Sequence, residues 1–218
     1  MSLSTIPSII RHFDRWDVDD AMELVQLPRT ADQPDEYWIH AGDEHECYTT
    51  GRRAENPPAE VHGIPVHQML HNGQLTYHGP GQLGFIMILD GMRAYQSHQV
   101  RSTGGVHKFA RDCILSAVAE YLQAEHDFKI NYHPDDPGLY DDAGAKVASF
   151  VIEVINRHYV VYCSINFFVD LQKYALIDVC GVQNRNMTNV FKDRRIPSTE
   201  LWCYGDAIVH RISEKLYG

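Results

Sequence analysis

Two residues of this 218-residue chain have the chemistry of a thiol-based catalytic site, Cys180 and Lys146. Cys180 is followed directly by Gly181, which allows a sharp backbone turn and would expose the thiol at a bend. A cysteine attacks as its thiolate and therefore needs a nearby base or cation. No suited group is adjacent in sequence, so the partner must come from elsewhere in the fold.

Lys146 begins an apolar stretch, KVASFVIEV, just after a glycine turn at Gly144. Burial at the edge of a sheet would lower the pKa of a lysine and suit it to general-base work. The alternative is a lysine at a strand end that keeps its ammonium in water. A buried, unreactive Cys180 is likewise open, and the residues alone do not decide between these readings.

A third candidate is His78, in the loop-like stretch GQLTYHGPGQLGF at residues 73–85. Four glycines in this stretch argue against a helix or a regular strand. His67 and His71 are four residues apart, as metal ligands on a helix can be. Pro65 and the flanking glycines make a helix there improbable on physical grounds, and no further ligands complete a set. We therefore expect no metal site.

Composition excludes several classes of protein. The chain has 19 basic and 29 acidic residues, a net charge of −10, which argues against general nucleic-acid binding. No apolar run reaches the roughly 20 residues that a membrane span needs. The N-terminus has no long apolar region typical of a signal peptide, so a cytoplasmic location is expected. Five cysteines without a CxxC motif support neither a disulfide framework nor a zinc site.

The pattern of apolar residues predicts an α+β fold with one domain over residues 1–218. Strands are predicted at residues 37–41 and 83–89, and three consecutive strands within residues 139–171. A helix with one apolar face is predicted from residue 103 to residue 122, and a shorter one at residues 207–216. The first 35 residues carry no clear pattern.

The stretch YHGPGQL, at residues 77–83, resembles the signature of the lipoyl(octanoyl) transferases, within the biotin/lipoate protein ligase superfamily. Other stretches resemble this family in the same order along the chain: TTGRRAE, PGLY, GAKVAS, and INFFVDL followed by the Cys180-Gly181 pair. The resemblance covers residues 49–185. It implies a single catalytic domain of mixed and antiparallel sheets packed with helices.

This resemblance implies a function. Cys180 corresponds to the nucleophile that takes an octanoyl group from octanoyl-acyl carrier protein as a thioester, and Lys146 to the residue that lowers the thiol pKa and transfers protons. A lysine amine of a lipoyl domain then attacks, in a ping-pong reaction that begins endogenous protein lipoylation. The implied acceptors are lipoyl domains of 2-oxoacid dehydrogenase complexes and the glycine cleavage H protein. No cofactor, metal or ATP is implied.

The resemblance also implies three substrate-binding stretches: His71, Asn72, Gly73, Gln74, Leu75, Thr76, Tyr77 and His78; Ser149, Phe150 and Val151; Tyr162, Cys163 and Ser164. The chain departs from the family within them. His71-Asn72 stands where the family has Arg-Gly, Val151 where it has glycine, and Val161-Tyr162 where it has His-Gly. Our hypothesis is that Val151 and Tyr162 fill space that glycines would leave to the acyl chain.

Three other functions remain open from the sequence. The chain could be a degenerate paralogue that binds acyl carrier protein or lipoyl domains without catalysis. It could be an ATP-dependent lipoate ligase-like enzyme, which would not need Cys180. It could also be a Cys-His hydrolase with His78 as its base, although Lys146 would then have no role.

Overall fold

The fold is described from a computed structural model, over residues 8–15, 18–30, 33–42, 45–90, 103–132, 136–156, 158–178 and 186–218. Within these residues lie helices α1 (Val18–Gln26), α2 (Thr103–His126) and α3 (Ser198–Tyr217) and a 3-10 helix, Leu171–Leu176. The strands are β1 (Ser8–Phe13), β2 (Asp35–His40), β3 (Cys47–Thr50), β4 (Glu60–Val61), β5 (Ile64–Gln68), β6 (Thr76–His78), β7 (Gln82–Leu89), β8 (Asn131–Tyr132), β9 (Gly138–Tyr140), β10 (Lys146–Ile155) and β11 (His158–Asn166).

Seven strands form the main sheet, in the order β1-β2-β7-β11-β10-β9-β8. Only β1 and β2 pair in parallel in it; the other neighbours are antiparallel. A smaller sheet has the order β4-β5-β3-β6. These mixed sheets packed with helices confirm the predicted fold class. No helix within the described residues has the length and apolarity needed to cross a membrane.

The main sheet is covered on both faces, which explains why all eight residues of β7 are buried. Phe85 and Met87 point to the helix face, which packs against α2 and α3. Ile86 and Ile88 point to the opposite face, which packs against α1 and parts of the smaller sheet. We call this second face the cavity face. Strand alternation thus divides one apolar run between two cores.

A β-bulge at the start of β10 breaks this alternation. Lys146 pairs with Tyr140 and Ala148 pairs with Leu139, so Val147 is an extra residue on β10. Val147 and Ala148 consequently both join the core of the helix face. The bulge therefore directs Lys146 away from that core, to the side of the sheet shared by Ser149 and Val151.

Most predicted elements are confirmed, with three differences. The stretch 73–85, in which the glycines argued against a regular strand, contains β6 and the start of β7. The helix predicted at residues 207–216 begins at Ser198, directly after Pro197. Its first turns contain Trp202, Tyr204 and Gly205, which are weak helix formers, and it forms there because it packs on the sheet. Helix α1 and strand β1 were not predicted in the first 35 residues. The buried residues of α1, Val18, Ala21, Met22 and Val25, follow the helical period over nine residues only, and β1 is largely exposed.

Gly205 of α3 brings that helix close to β2. A Cβ atom at this position would lie 2.6 Å from Cγ2 and 3.0 Å from Cδ1 of Ile39, which is fully buried. We predict that Gly205→Ala lowers the free energy of unfolding by about 1–3 kcal/mol through overpacking. Helix propensity alone would instead favour alanine by about 1 kcal/mol. Urea unfolding measures the sign of the change in the free energy of unfolding, with substitution of the exposed Cys203 by alanine as the control. A Gly205→Ala variant that is more stable than the unchanged chain would contradict the close packing.

Candidate active site

A cavity of about 420 Å³ lies over the cavity face of the main sheet, within the size range of small-molecule sites. Its lining brings together Lys146 and most of the predicted substrate-binding residues, namely His71, Asn72, Gly73, Gln74, Thr76, His78, Ser149, Phe150, Val151, Tyr162, Cys163 and Ser164. Stretches far apart in sequence converge here because β10 and β11 are neighbours, with Val151 opposite Tyr162 and Ser149 opposite Ser164.

Leu75 and Tyr77 are the two predicted residues that do not line the cavity. Side chains alternate along β6, so Thr76 and His78 face the cavity while Tyr77 points the other way. Tyr77 packs against Tyr48 and Tyr174 in a separate apolar cluster, and Leu75 packs at the edge of the same cluster. These two side chains therefore pack in an apolar cluster and do not face the cavity.

The cavity also extends around the edge of β10. Strand β9 pairs with β10 only as far as Ser149, and no described strand covers that edge beyond it. Phe150 of the helix face therefore reaches the cavity, where His107 and Arg111 of α2 complete the wall. The cavity thus has an apolar interior along the sheet and a basic margin on α2.

Lys146 is held by both its backbone and its side chain. Its N–H donates to the carbonyl oxygen of Asn186 and its carbonyl accepts from the N–H of Thr188, each at 2.9 Å. Its side chain is only 2% exposed, and its Nζ donates to Oδ1 of Asp136 at 3.0 Å. The lysine is therefore buried, and the alternative of an ammonium kept in water is wrong. It does not lie at a sheet edge as expected, because β10 lies between β9 and β11.

Cys180 lies outside the described residues, so its position relative to Lys146 is not part of the geometry above. The chain before it is described as far as Asp178, and the chain after it resumes at Asn186, hydrogen-bonded to Lys146. Cys163 is the cysteine that lines the cavity among the described residues. Burial raises the pKa of its thiol to about 12, so Cys163 is unsuited to act as a nucleophile.

The loop that carries His71 and Asn72 is clamped to β10. The backbone N–H and the side-chain amide of Asn72 donate to the two carboxylate oxygens of Glu153, at 2.8 and 3.1 Å. The His71 ring packs edge-on against Tyr162, with ring centroids 5.0 Å apart. Glycine at position 73 leaves room for the His71 ring, since a Cβ atom there would lie 2.8 Å from two of its ring atoms.

Two histidines at the site are neutral. Burial, and secondarily the Arg52 charge, lowers the pKa of His71 to about 4. Its Nδ1 accepts a hydrogen bond from the N–H of Gly73 at 2.9 Å, so the proton of the neutral ring is on Nε2. Burial likewise lowers the pKa of His78 to about 4. Neither ring carries a charge near neutral pH.

Both ring nitrogens of His78 are engaged. The Gln82 Nε2 donates to the carbonyl oxygen of Tyr77, which can only accept, so the Gln82 Oε1 faces His78. The His78 Nδ1–H therefore donates to this oxygen at 2.6 Å, and Nε2 accepts from the Thr49 hydroxyl at 2.8 Å. Because its lone pair is already hydrogen-bonded, His78 is placed to join β6 to β3 and to the start of β7 rather than to take a proton from a substrate.

The comparisons with known proteins decide the family. Residues 16–199 match the model of the family described as the lipoyl protein ligase A/B catalytic domain. This match covers well over half of the chain. The chain belongs to this family.

Curated relatives of this lipoyl protein ligase A/B catalytic domain are octanoyltransferases. One from Chromobacterium violaceum is 32% identical over 190 residues, covering 85% of each chain. One from Hydrogenovibrio crunogenus is 31% identical over 176 residues, covering 78% of each chain. The family predicted from the sequence motifs is confirmed.

The fold of the family is confirmed by a solved structure. Protein Ta0514 from T. acidophilum, determined with bound lipoic acid, superimposes with a TM-score of 0.69. It covers 96% of this chain and 85% of its own, at 12% sequence identity. At that identity the likeness concerns the fold alone.

Two carboxylates of this lipoyl protein ligase A/B catalytic domain were missed by the sequence analysis. Asp136 pairs with Lys146, and Glu153 fixes Asn72. Each partner is ten or more residues away, and no local pattern marks either carboxylate. Glu153 alternates with apolar residues on β10, which favours reading it as an ordinary solvent-facing position. Their roles depend on contacts that form only in the folded chain.

We predict that stability falls as the pH drops from about 6.5 to about 4. The folded-state pKa of His71 and of His78 is about 4, below the ordinary value of 6.5. The full free energy of unfolding is therefore present above pH 6.5, where the histidines are neutral in both states. It decreases at lower pH, because the histidines bind protons in the unfolded chain but not in the folded one. Each histidine accounts for up to about 3 kcal/mol.

The measurement is urea unfolding at several pH values. His78→Gln should flatten the pH dependence of the unfolding free energy, whatever its effect at pH 7, because glutamine does not titrate. His210→Gln removes an exposed histidine of α3 and serves as the matched control. An unchanged slope for His78→Gln would show that His78 is not a source of the acid sensitivity.

Proposed function

We propose that this chain is an octanoyltransferase that moves an octanoyl group from octanoyl-acyl carrier protein to the lysine amine of lipoyl domains. The observation that carries the proposal is the cavity in which Lys146 meets the stretches 71–78, 149–151 and 162–164. The octanoyltransferase names of the curated relatives support the same acyl group and the same enzyme class.

Before the first half-reaction the Cys180 proton resides on Lys146, so that Cys180 is a thiolate and Lys146 an ammonium, and the thiolate then attacks the thioester carbonyl. A carbon–sulfur bond to Cys180 forms, and the bond to the sulfur of the carrier breaks. The departing carrier thiolate takes its proton from the Lys146 ammonium. No ATP is consumed, because the donor thioester is already activated. In this proposal Cys180 is the nucleophile and Lys146 is the proton-transfer residue.

In the second half-reaction the neutral lysine amine of the lipoyl domain attacks the acyl-enzyme. A carbon–nitrogen bond forms, the bond to Cys180 breaks, and the nitrogen gives up one proton to the Lys146 amine as the amide is made. The Cys180 thiolate and the Lys146 ammonium are thereby restored. Each half-reaction exchanges one acyl bond for another, which is the ping-pong scheme.

The described residues suit the cavity to an uncharged acyl chain. His71 is neutral, and the ring of Tyr162 and the side chain of Val151 supply apolar walls. The basic margin suits the donor, because an acidic carrier protein needs a local basic surface on an enzyme with net charge −10. Arg53 is exposed and lines the cavity, and Arg111 faces it from α2.

The remaining parts of the proposal concern organisation and context. Residues 1–218 act as one catalytic domain in the cytoplasm. The acceptors are lipoyl domains of 2-oxoacid dehydrogenase complexes and the glycine cleavage H protein. Neither nucleic acid nor membrane takes part.

The alternatives are separated by specific features. An ATP-dependent ligase would require ATP for transfer, whereas the proposed reaction does not. A binding-only paralogue would form no covalent adduct. A Cys-His hydrolase would need a free lone pair on His78, and both ring nitrogens of His78 are engaged by Thr49 and Gln82.

Incubation with octanoyl-acyl carrier protein, without ATP, should give a hydroxylamine-labile octanoyl adduct on Cys180 by mass spectrometry. Cys180→Ala should abolish the adduct, and Lys146→Ala should slow its formation by about 100-fold, a typical contribution of proton-transfer catalysis. Cys203→Ala controls for acylation of an exposed thiol. If no acyl donor gives an adduct on Cys180, the proposal is wrong and binding without catalysis is favoured.

We further expect Val151 and Tyr162 to limit acyl chain length. They are cross-strand neighbours on the cavity wall, and the Val151 Cγ2 would lie 3.3 Å from a Cβ atom on Gly73. In a series of carrier thioesters, the rate of acyl transfer should fall beyond a certain acyl chain length. Val151→Ala should raise the rate of transfer of the longer chains by about tenfold. If the unchanged enzyme transfers C8 and longer acyl chains as fast as short ones, the hypothesis that Val151 and Tyr162 narrow the cavity is wrong.

Val160→Ala is the matched control for this experiment. Val160 is buried on the same cavity face, two residues from Tyr162, but it does not line the cavity. The substitution removes the same methyl groups and should leave the chain-length profile unchanged.

A further inference from the structure

We propose that Asp136 is a positioning residue that holds the Lys146 ammonium at the cavity wall. The mechanistic part of this inference rests on the proposed acyl transfer, whereas the ion pair itself is independent of it. Asp136 belongs to none of the stretches in which the sequence resembles the octanoyltransferases, and the comparison of motifs assigns it no role.

The contact is an ion pair in a largely dry setting. The Lys146 Nζ and the Asp136 Oδ1 are 3.0 Å apart, with the lysine side chain 2% exposed and the carboxylate 23% exposed. A buried ammonium without a counterion is strongly destabilising. Asp136 is the single carboxylate among the described residues that line the cavity, so no other described residue of the wall can replace it as the counterion.

The residues after Asp136 shape the space around the lysine. A Cβ atom on Gly138 would lie 2.5 Å from Cε and 3.1 Å from Nζ of Lys146, so only glycine lets β9 approach this closely. The Tyr140 ring lies 5.7 Å from Nζ and adds a cation–π contact. Residues 136–140 therefore form a cradle that encloses the stem of the lysine and ends in the carboxylate.

The other charged or titratable side chains at the wall do not compete for the ammonium. Arg53, Arg111 and His107 come from other elements and bear, or can bear, the same sign of charge as Lys146. Arg111 already donates to the neighbouring Asp112. His71 and His78 are neutral. The electrostatic setting thus leaves Asp136 as the anionic wall partner of Lys146.

This arrangement has a defined part in the proposed reaction. While Cys180 is a thiolate, its proton resides on Lys146, and this ammonium is held by the Asp136 carboxylate. When the carrier thiolate leaves, the ammonium gives this proton to it, and the proton that the lipoyl lysine later loses restores the ammonium. The carboxylate stays ionised throughout and acts only through the lysine.

The first test is a double-mutant cycle on first-turnover formation of the Cys180 adduct. Asp136→Asn keeps the shape of the side chain but removes its charge. It should slow adduct formation by about tenfold in the unchanged chain, and by less than twofold when Lys146 is already alanine. An equal loss in both backgrounds would mean that Asp136 only supports the local structure, and would overturn the proposal.

Asp142→Asn is the matched control. It removes the same charge from the turn between β9 and β10, where the Asp142 side chain is 64% exposed and does not line the cavity. Its adduct formation should equal that of the unchanged chain.

A second test does not depend on acyl transfer. Brief acetylation with acetic anhydride, read by peptide mass spectrometry, reports how readily each lysine amine gives up its proton; the exposed Lys129 is the internal reference. Asp136→Asn should raise labelling of Lys146 about tenfold, because the ammonium loses its counterion. Asp136→Glu restores the charge and should restore low labelling. Equal labelling in the unchanged chain and Asp136→Asn, or equal increases in both variants, would contradict the ion-pair role.

The two tests fail in different ways. If the unchanged chain forms no adduct, the proposed function is wrong, and the labelling experiment still decides the role of Asp136. If the adduct forms but the cycle is additive, octanoyl transfer stands and the inference about Asp136 is wrong.

Discussion

Burying the ammonium of Lys146 is the constraint on which the site depends. A charge removed from water must be compensated by an opposite charge and by hydrogen bonds, or the folded state loses several kcal/mol. Here the compensation comes from Asp136 at 3.0 Å, together with the ring of Tyr140. The β-bulge at Val147 then aims the side chain away from the helix-face core, and Gly138 leaves room for its stem.

The rest of the cavity is built by fixing polar loops onto an apolar sheet. Glu153 clamps the loop of Asn72, and Thr49 and Gln82 hold His78 by its two ring nitrogens. Burial lowers the pKa of His71 and of His78 and leaves both rings neutral, which suits the inner wall to an acyl chain. Apart from Lys146, the cationic groups that line the cavity lie at its margin, on the turn of Arg53 and on α2, where the proposed carrier protein would approach.

Much of the fold was accessible from the sequence, and the exceptions have physical causes. Long, strongly patterned elements such as β7, α2 and the β9–β11 run were predicted because burial imposes a period on their apolar residues. The first half of α3 was not, because Gly205 is helical there through its packing against Ile39, and its aromatic neighbours through their packing on the helix-face core. Helix α1 follows the helical period over nine residues only, and strand β1 is largely exposed, so neither stands out in the sequence. The membership of the family was also predicted, from ordered motifs that are local in sequence.

The sequence by itself determined the family, the fold class, and the residue types available for acyl chemistry, since these follow from composition, periodicity and local motifs. The tertiary structure alone decided how those residues are used. Strand alternation directs Leu75 and Tyr77 away from the cavity and into an apolar cluster. Both ring nitrogens of His78 are hydrogen-bonded, and Lys146 is paired with Asp136. Such pairings depend on strand register, one bulge and the burial of a charge, which are properties of the folded chain and not of any short stretch of it.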